Sequence, residues 1–407
     1  MLSDNLKNLH QEYLLYYKEN GIKLLPHELQ KRIAYTAKIA RENYKRLKHP
    51  ITTSLENYIE ICVHFSLSLD LATRSVETVN LTNPPFNFRA AAAYFLELPY
   101  ELHQRIEKDL FNIHPEKREE FWKDLNLNIP KIEKKFIAMI EERKRFAQSK
   151  GYESQIDLSF KKSKIPQSVL NRFVVNQDKL INFCNQNLPK IGNKPDWFYS
   201  NFSKTCFLCM IQPFPFSSLE SVFEKATFIH PILQKYNEKI TIKPSGSSHT
   251  TYKEGTDSFE VYIENDQNLR HQIVDLVHEL GHVINNLEDL NKNKNPFLKG
   301  RFLAEKEANE IEIDFYKKTS RLLYQASFGW ILWLFRRTLF EIELHKNPRQ
   351  NLSKLYADTY NKCFKGANQK SNPTYFIDTY ISLRPFSTLP HTLAYSEVVT
   401  KLIEKKK

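Results

Sequence analysis

Residues 271–287 read His271-Gln272-Ile273-Val274-Asp275-Leu276-Val277-His278-Glu279-Leu280-Gly281-His282-Val283-Ile284-Asn285-Asn286-Leu287. Ile273, Leu276, Val277, Leu280, Ile284 and Leu287 recur at i, i+3, i+4, i+7, the stripe of a core-facing helix. His271, Asp275, His278, Glu279, His282 and Asn286 fall away from that stripe onto a polar face. Inside the helix, His278 to His282 match the pattern H-E-x-x-H. Side chains four apart on a helix stand one above the other, so both imidazoles reach one metal ion. Glu279, beside the first histidine, can then hold a water at the metal and take its proton. Gly281 lets another backbone or a substrate come close.

The rest of the chain fits a large helical protein. Its 407 residues suffice for one big core or two smaller ones, and glycine is scarce, at 9 residues. Helices are expected at 33–46, 55–76, 88–98, 132–150 and 168–188, with Gly151 at the C′ position of the fourth. The seam near 126–131 suggests an N-terminal helical lobe at 1–130 and a catalytic region at 131–407. The chain turns β-like at 239–242 and 258–263, with Pro-Ser-Gly and Gly-Thr-Asp loops between. The edge of that short sheet could pair with an extended peptide.

Charge and cysteine usage narrow the function classes. The formal net charge is +12, but the lysines are dispersed and no arginine-rich helix or RNA-binding aromatic signature appears. A soluble basic surface is expected, without nucleic acid as partner. The five cysteines are irregularly spaced, and Cys206-x-x-Cys209 has apolar flanks and no second pair, so core thiols in a reduced compartment are expected. The N-terminus lacks the order of a secretory signal, and the apolar run Phe328 to Phe335 ends at Arg336-Arg337, short of a bilayer span. A cytoplasmic protein without a membrane span follows as the expectation, with signal-less export as the other route.

A catalytic zinc site takes three protein ligands and leaves one position open. No third histidine follows closely, so a carboxylate is expected. The next helix carries Ala304, Ala308, Ile311 and Phe315 as its buried stripe, with Glu305, Asn309 and Glu312 on one flank and Glu307, Glu310 and Asp314 on the other. Helical geometry alone leaves Glu305, Glu307 and Glu310 as candidates.

The H-E-x-G-H pattern, followed 23 residues after His282 by Phe302-Leu303-Ala304-Glu305, resembles the thimet oligopeptidase and oligoendopeptidase F family of zinc peptidases. Glu141 to Ala147 with Gly151-Tyr152, and Arg336 to Glu343, resemble that family's flanking helices, so the resemblance spans roughly residues 130 to 400. It implies one Zn²⁺ per chain held by His278, His282 and Glu305, with Glu312 orienting a histidine ligand. It also implies a C-terminal histidine or tyrosine that stabilises the oxyanion, and here these are His391 and Tyr395. Their spacing and the loop at 243–248 depart from the family pattern, which implies altered substrate choice. The expected fold is mostly α, two helical lobes around a deep substrate channel with a small β-sheet beside the zinc-binding helix. The expected function is a zinc endopeptidase acting on a peptide or protein substrate, with Glu279 as general base. The alternatives are a protease dedicated to one protein target and a non-catalytic peptide-binding relative.

Overall fold

A computed structural model of the chain describes residues 151–163, 165–188, 214–245, 248–253, 256, 258–264, 269–292, 301–376, 381, 386 and 388–405, with scattered positions from 119 to 149. The helices expected at 33–46, 55–76 and 88–98, nearly all of the 1–130 lobe, and Cys206 and Cys209 lie outside the described residues.

The described chain is mostly helical with one small sheet. Its elements run α1 (Gln155–Ser163), α2 (Gln167–Asn187), α3 (Leu219–Ile229), α4 (Pro231–Lys235), β1 (Ile240–Ser245), β2 (His249–Lys253), β3 (Ser258–Glu264), α5 (Leu269–Asn291), α6 (Arg301–Thr319), α7 (Arg321–Lys346), α8 (Leu352–Cys363) and α9 (Leu389–Glu404). Local signals explain several of the ends. Gly151 adopts φ 81°. Its N–H bonds to the Gln148 carbonyl at 2.9 Å, and the Tyr152 N–H reaches the Ala147 carbonyl at 3.0 Å, which closes the preceding helix as a Schellman motif. The Ser218 and Ser221 side chains cap α3 reciprocally. The Asn351 side chain accepts the Lys354 N–H at 2.9 Å to start α8.

The sheet has the order β1-β3-β2. β3 pairs parallel to β1 and antiparallel to β2, with Ile242 and Thr250 both opposite Val261. Alternation sorts the two faces of β3. Phe259, Val261 and Ile263 are buried, and the strand packs on α5. Glu260 points the other way, taking bonds from the Lys243 and Lys253 ammoniums and from the Tyr262 hydroxyl. Burial opposes its charge, but those donors win and hold the Glu260 carboxyl down at about 2. The sequence reading treats the stretch between the two alternating runs as loop; the structure places β2 there. Thr250, Thr251 and Tyr252 suit a pleated, half-buried strand, and β3 supplies the partner that local pattern lacks.

The helices α5, α6, α7 and α9 form the core of the described region. The α6 face differs from the expected one. Glu305, Asn309 and Glu312 are buried while Ile311 is only half-buried. The helix packs against both α5 and α9, so the polar flank read as peripheral is interior. The apolar run of α7 is core, and its terminal arginines are buried too. The Arg336 guanidinium lies 4.4 and 4.3 Å from the Tyr356 and Tyr360 ring centres, and that of Arg337 lies 3.4 Å from Trp333. Among the described residues no helix is long and apolar enough to cross a membrane.

Two buried charges tie down the chain just before α9. Arg143 donates to the Ile381 carbonyl at 2.9 Å, and the Glu341 carboxylate accepts the Phe386 N–H at 2.7 Å. That second bond holds Phe386 at φ 58°, a left-handed conformation a non-glycine residue keeps only when its surroundings impose it. Burial lowers the Arg143 pKa to about 10, against the opposing field of Glu341. Arg143→Met removes the positive charge beside Glu341 and should cost about 3–5 kcal/mol in urea unfolding. A loss below about 1 kcal/mol would mark these charges as screened by solvent.

Candidate active site

Two helices build the site by crossing closely. A Cβ placed on Gly281 of α5 would stand 2.8 Å from the Ala308 carbonyl oxygen of α6, closer than side chains approach backbone. Glycine is therefore what lets α6 come near enough for a glutamate to reach both histidines. His278 and His282, one turn apart on α5, meet with ring centroids 4.9 Å apart at 89°. Glu305 Oε2 lies 3.3 Å from His278 Nε2 and 3.5 Å from His282 Nε2. Of the three carboxylates left open by helical spacing, Glu305 is the one that meets the histidines. Glu310 pairs instead with Lys401.

A third histidine enters from α9. His391 Nδ1 lies 3.2 Å from the same Glu305 oxygen. The candidate ligand atoms of His278, Glu305 and His391 all lie within 4.8 Å of one another. Behind His278, Nδ1 stands 3.0 Å from Glu312 Oε2, which also accepts the Tyr395 hydroxyl at 2.7 Å. Tyr395 is thus placed otherwise than the resemblance implies. It is 2 % exposed and its proton is donated to Glu312, so it backs the histidine rather than facing the open side.

The site is buried and its charges are mutually dependent. Burial opposes an imidazolium at His278, but the Glu305 and Glu312 carboxylates outweigh it and push its pKa well above the ordinary value. Burial likewise opposes ionisation of Glu305, yet His391, His278 and His282 hold that carboxyl well below the usual range. The Tyr395 phenol is pushed up, first by burial and then by Glu312. Glu279 is also buried. Its Oε2 accepts the Thr250 hydroxyl of β2 at 2.8 Å. Thr250 carries no motif and falls where the sequence predicts loop, so no sequence signal points to it.

The donor set fits a metal ion. Four ligands about 2.0–2.1 Å from a tetrahedral zinc stand about 3.3–3.4 Å from each other. The three nitrogen–oxygen separations at Glu305, 3.2 to 3.5 Å, scatter around that edge. They exceed the about 2.7–2.9 Å of a charged hydrogen bond, a spacing that has room for an ion. Glu312 fixes the His278 ring, leaving Nε2 to supply its lone pair.

No family model matches the chain, and no curated protein matches it in sequence. In fold it is similar to PZ peptidase A solved with an inhibitor, at 11% identity and a TM-score of 0.55 over 96% of this chain and 80% of that one. A structure assigned as oligoendopeptidase F aligns at 12% identity, TM-score 0.48, over 99% of this chain and 88% of that one. The M32 carboxypeptidase from Deinococcus radiodurans R1 aligns at 11% identity, TM-score 0.45, over 97% and 83%. At such identities the likeness is one of fold.

Gly281→Ala tests the crossing. The added methyl must push α6 away from α5, so we expect about 1–3 kcal/mol lost in urea unfolding. Zinc affinity, followed by competition with a chelator, should fall with it. Unchanged affinity would mean that the helices can part without moving Glu305.

Proposed function

We propose that this chain is a zinc-dependent endopeptidase. The observation that carries the reading is the convergence on one Glu305 oxygen of nitrogens from His278 and His282 at about a tetrahedral-edge spacing, with Glu279, next to His278 in sequence, held by Thr250. The likeness in fold to PZ peptidase A supports the same reading. His278, His282 and Glu305 would hold the ion. When bound, zinc supplies Lewis acidity, polarising a peptide carbonyl and acidifying water.

The chain's own residues do the rest. Glu279 takes a proton from the attacking water as its oxygen adds to the carbonyl carbon. It then delivers that proton to the amine as the C–N bond breaks. The Thr250 hydroxyl keeps one Glu279 oxygen occupied and leaves the other for this transfer. Glu312 orients His278, and Tyr395 in turn orients Glu312. The negative charge that develops on the carbonyl oxygen falls to His391, the most exposed of the three histidines around Glu305. β2, at the end of the sheet among the described residues, offers its outer edge for an extended substrate beside Glu279.

The deciding experiment is metal analysis of the purified chain with digestion of a peptide library, before and after chelation. One zinc per chain and cleavage restored by zinc are the expected results; metal without cleavage would sink the reading. Glu279→Gln should keep zinc and stability while turnover drops by about 10²–10⁴-fold. Tyr395→Phe separates two roles. As the support of Glu312 it should weaken zinc binding by about ten-fold. Slower turnover with zinc affinity intact would instead make it the oxyanion donor that the sequence resemblance implies.

A further inference from the structure

Glu305 Oε2 has three histidine nitrogens around it, and the nearest belongs to His391. A catalytic site with three protein ligands keeps its fourth vertex open for water or substrate. Here the His391 Nδ1 lies 3.2 Å from the shared oxygen, the length of one tetrahedral edge, and within 4.8 Å of the His278 ligand atom. We infer that His391 closes the resting site as a fourth ligand through Nδ1, and that it must leave before a substrate can enter. The inference rests on the metallopeptidase reading and adds a self-closed state to it.

Of the three histidines, His391 is the one built to leave. Its side chain is 27% exposed, against 14% for His278 and 19% for His282. The His278 ring is fixed from behind by Glu312. His391 sits in the first turn of α9, following Pro390. Its departure takes one lone pair off the ion, and a substrate oxygen brings one on. No proton or electron is needed. The released imidazole remains beside the vacated vertex, where it can meet the developing oxyanion.

The test uses the full chain loaded with Co²⁺ in place of zinc, because four-coordinate cobalt absorbs visible light far more strongly than five- or six-coordinate cobalt. Wild type should show the intense four-coordinate spectrum and ignore added azide. His391→Ala should change its spectrum on adding azide, and its zinc affinity, by chelator competition, should be at least about ten-fold weaker. His391→Asp should recover affinity, because a carboxylate oxygen stands the same number of bonds from Cα as Nδ1. Circular dichroism checks that the variants fold; if His391→Ala does not, the response of wild type to azide decides. A wild-type spectrum that shifts with azide, or an alanine variant with wild-type zinc affinity, overturns the closure. Peptide cleavage by the zinc form is scored separately. Cleavage by a wild type already open to azide sinks the closure alone. The expected spectra without cleavage sink the peptidase reading alone, and failure to bind metal sinks both.

Discussion

The approach of α5 to α6 at Gly281 and Ala308 is the constraint on which the site depends. A glutamate side chain is short compared with the usual 8–10 Å between packed helix axes. Bringing its carboxylate between two imidazoles on the neighbouring helix requires that the backbones nearly touch. Gly281 permits this by presenting only a hydrogen at the crossing. It sits between His278 and His282 in sequence, so the contact fixes both histidines and Glu305 together. The rest of the core serves the crossing, with β3 and α3 packing on α5 while α9 packs on α6.

Such a site is costly to bury and must balance its own charge. Glu305 and Glu312 lie inside the protein, where an isolated carboxylate is strongly disfavoured. Each is compensated locally, Glu305 by three histidines and Glu312 by the His278 ring and the Tyr395 hydroxyl. The raised pKa of His278 and the depressed one of Glu305 are two views of one exchange: the carboxylates retain the imidazole protons. In the metallopeptidase reading an arriving cation would replace those protons as the source of positive charge, and metal binding would then be coupled to proton release.

Much of this was legible in the sequence, and what was not has a common cause. The periodicity of 271–287 reports a helix because its apolar stripe repeats locally, and Gly151 reports a helix end because its conformation is local. The small sheet was legible in β1 and its central strand β3 but not in β2, which is a strand by virtue of pairing with β3 rather than by its own pattern. The site positions of Glu305 and Glu312 were implied by the family resemblance, but their burial was invisible to a one-face reading of α6, because the helix is covered on two sides. Tyr395 and His391 share a helix face, but their different depths follow from how α9 lies on α6, which no sequence spacing encodes.

The position of β2 has one more consequence. Among the described residues β2 is an outer strand of the sheet, and an outer strand can serve as a template for any extended chain, including another copy of the same strand. β2 is only five residues long, which limits how firmly a second copy could dock. It ends in Lys253, an ammonium half open to water that would face its own copy in an in-register parallel pairing. Brevity and a terminal charge are familiar means of keeping sheet edges from aggregating. The strand that stands beside Glu279 is thus held between two demands: open enough to admit a foreign backbone, and too short and too charged to accept its own.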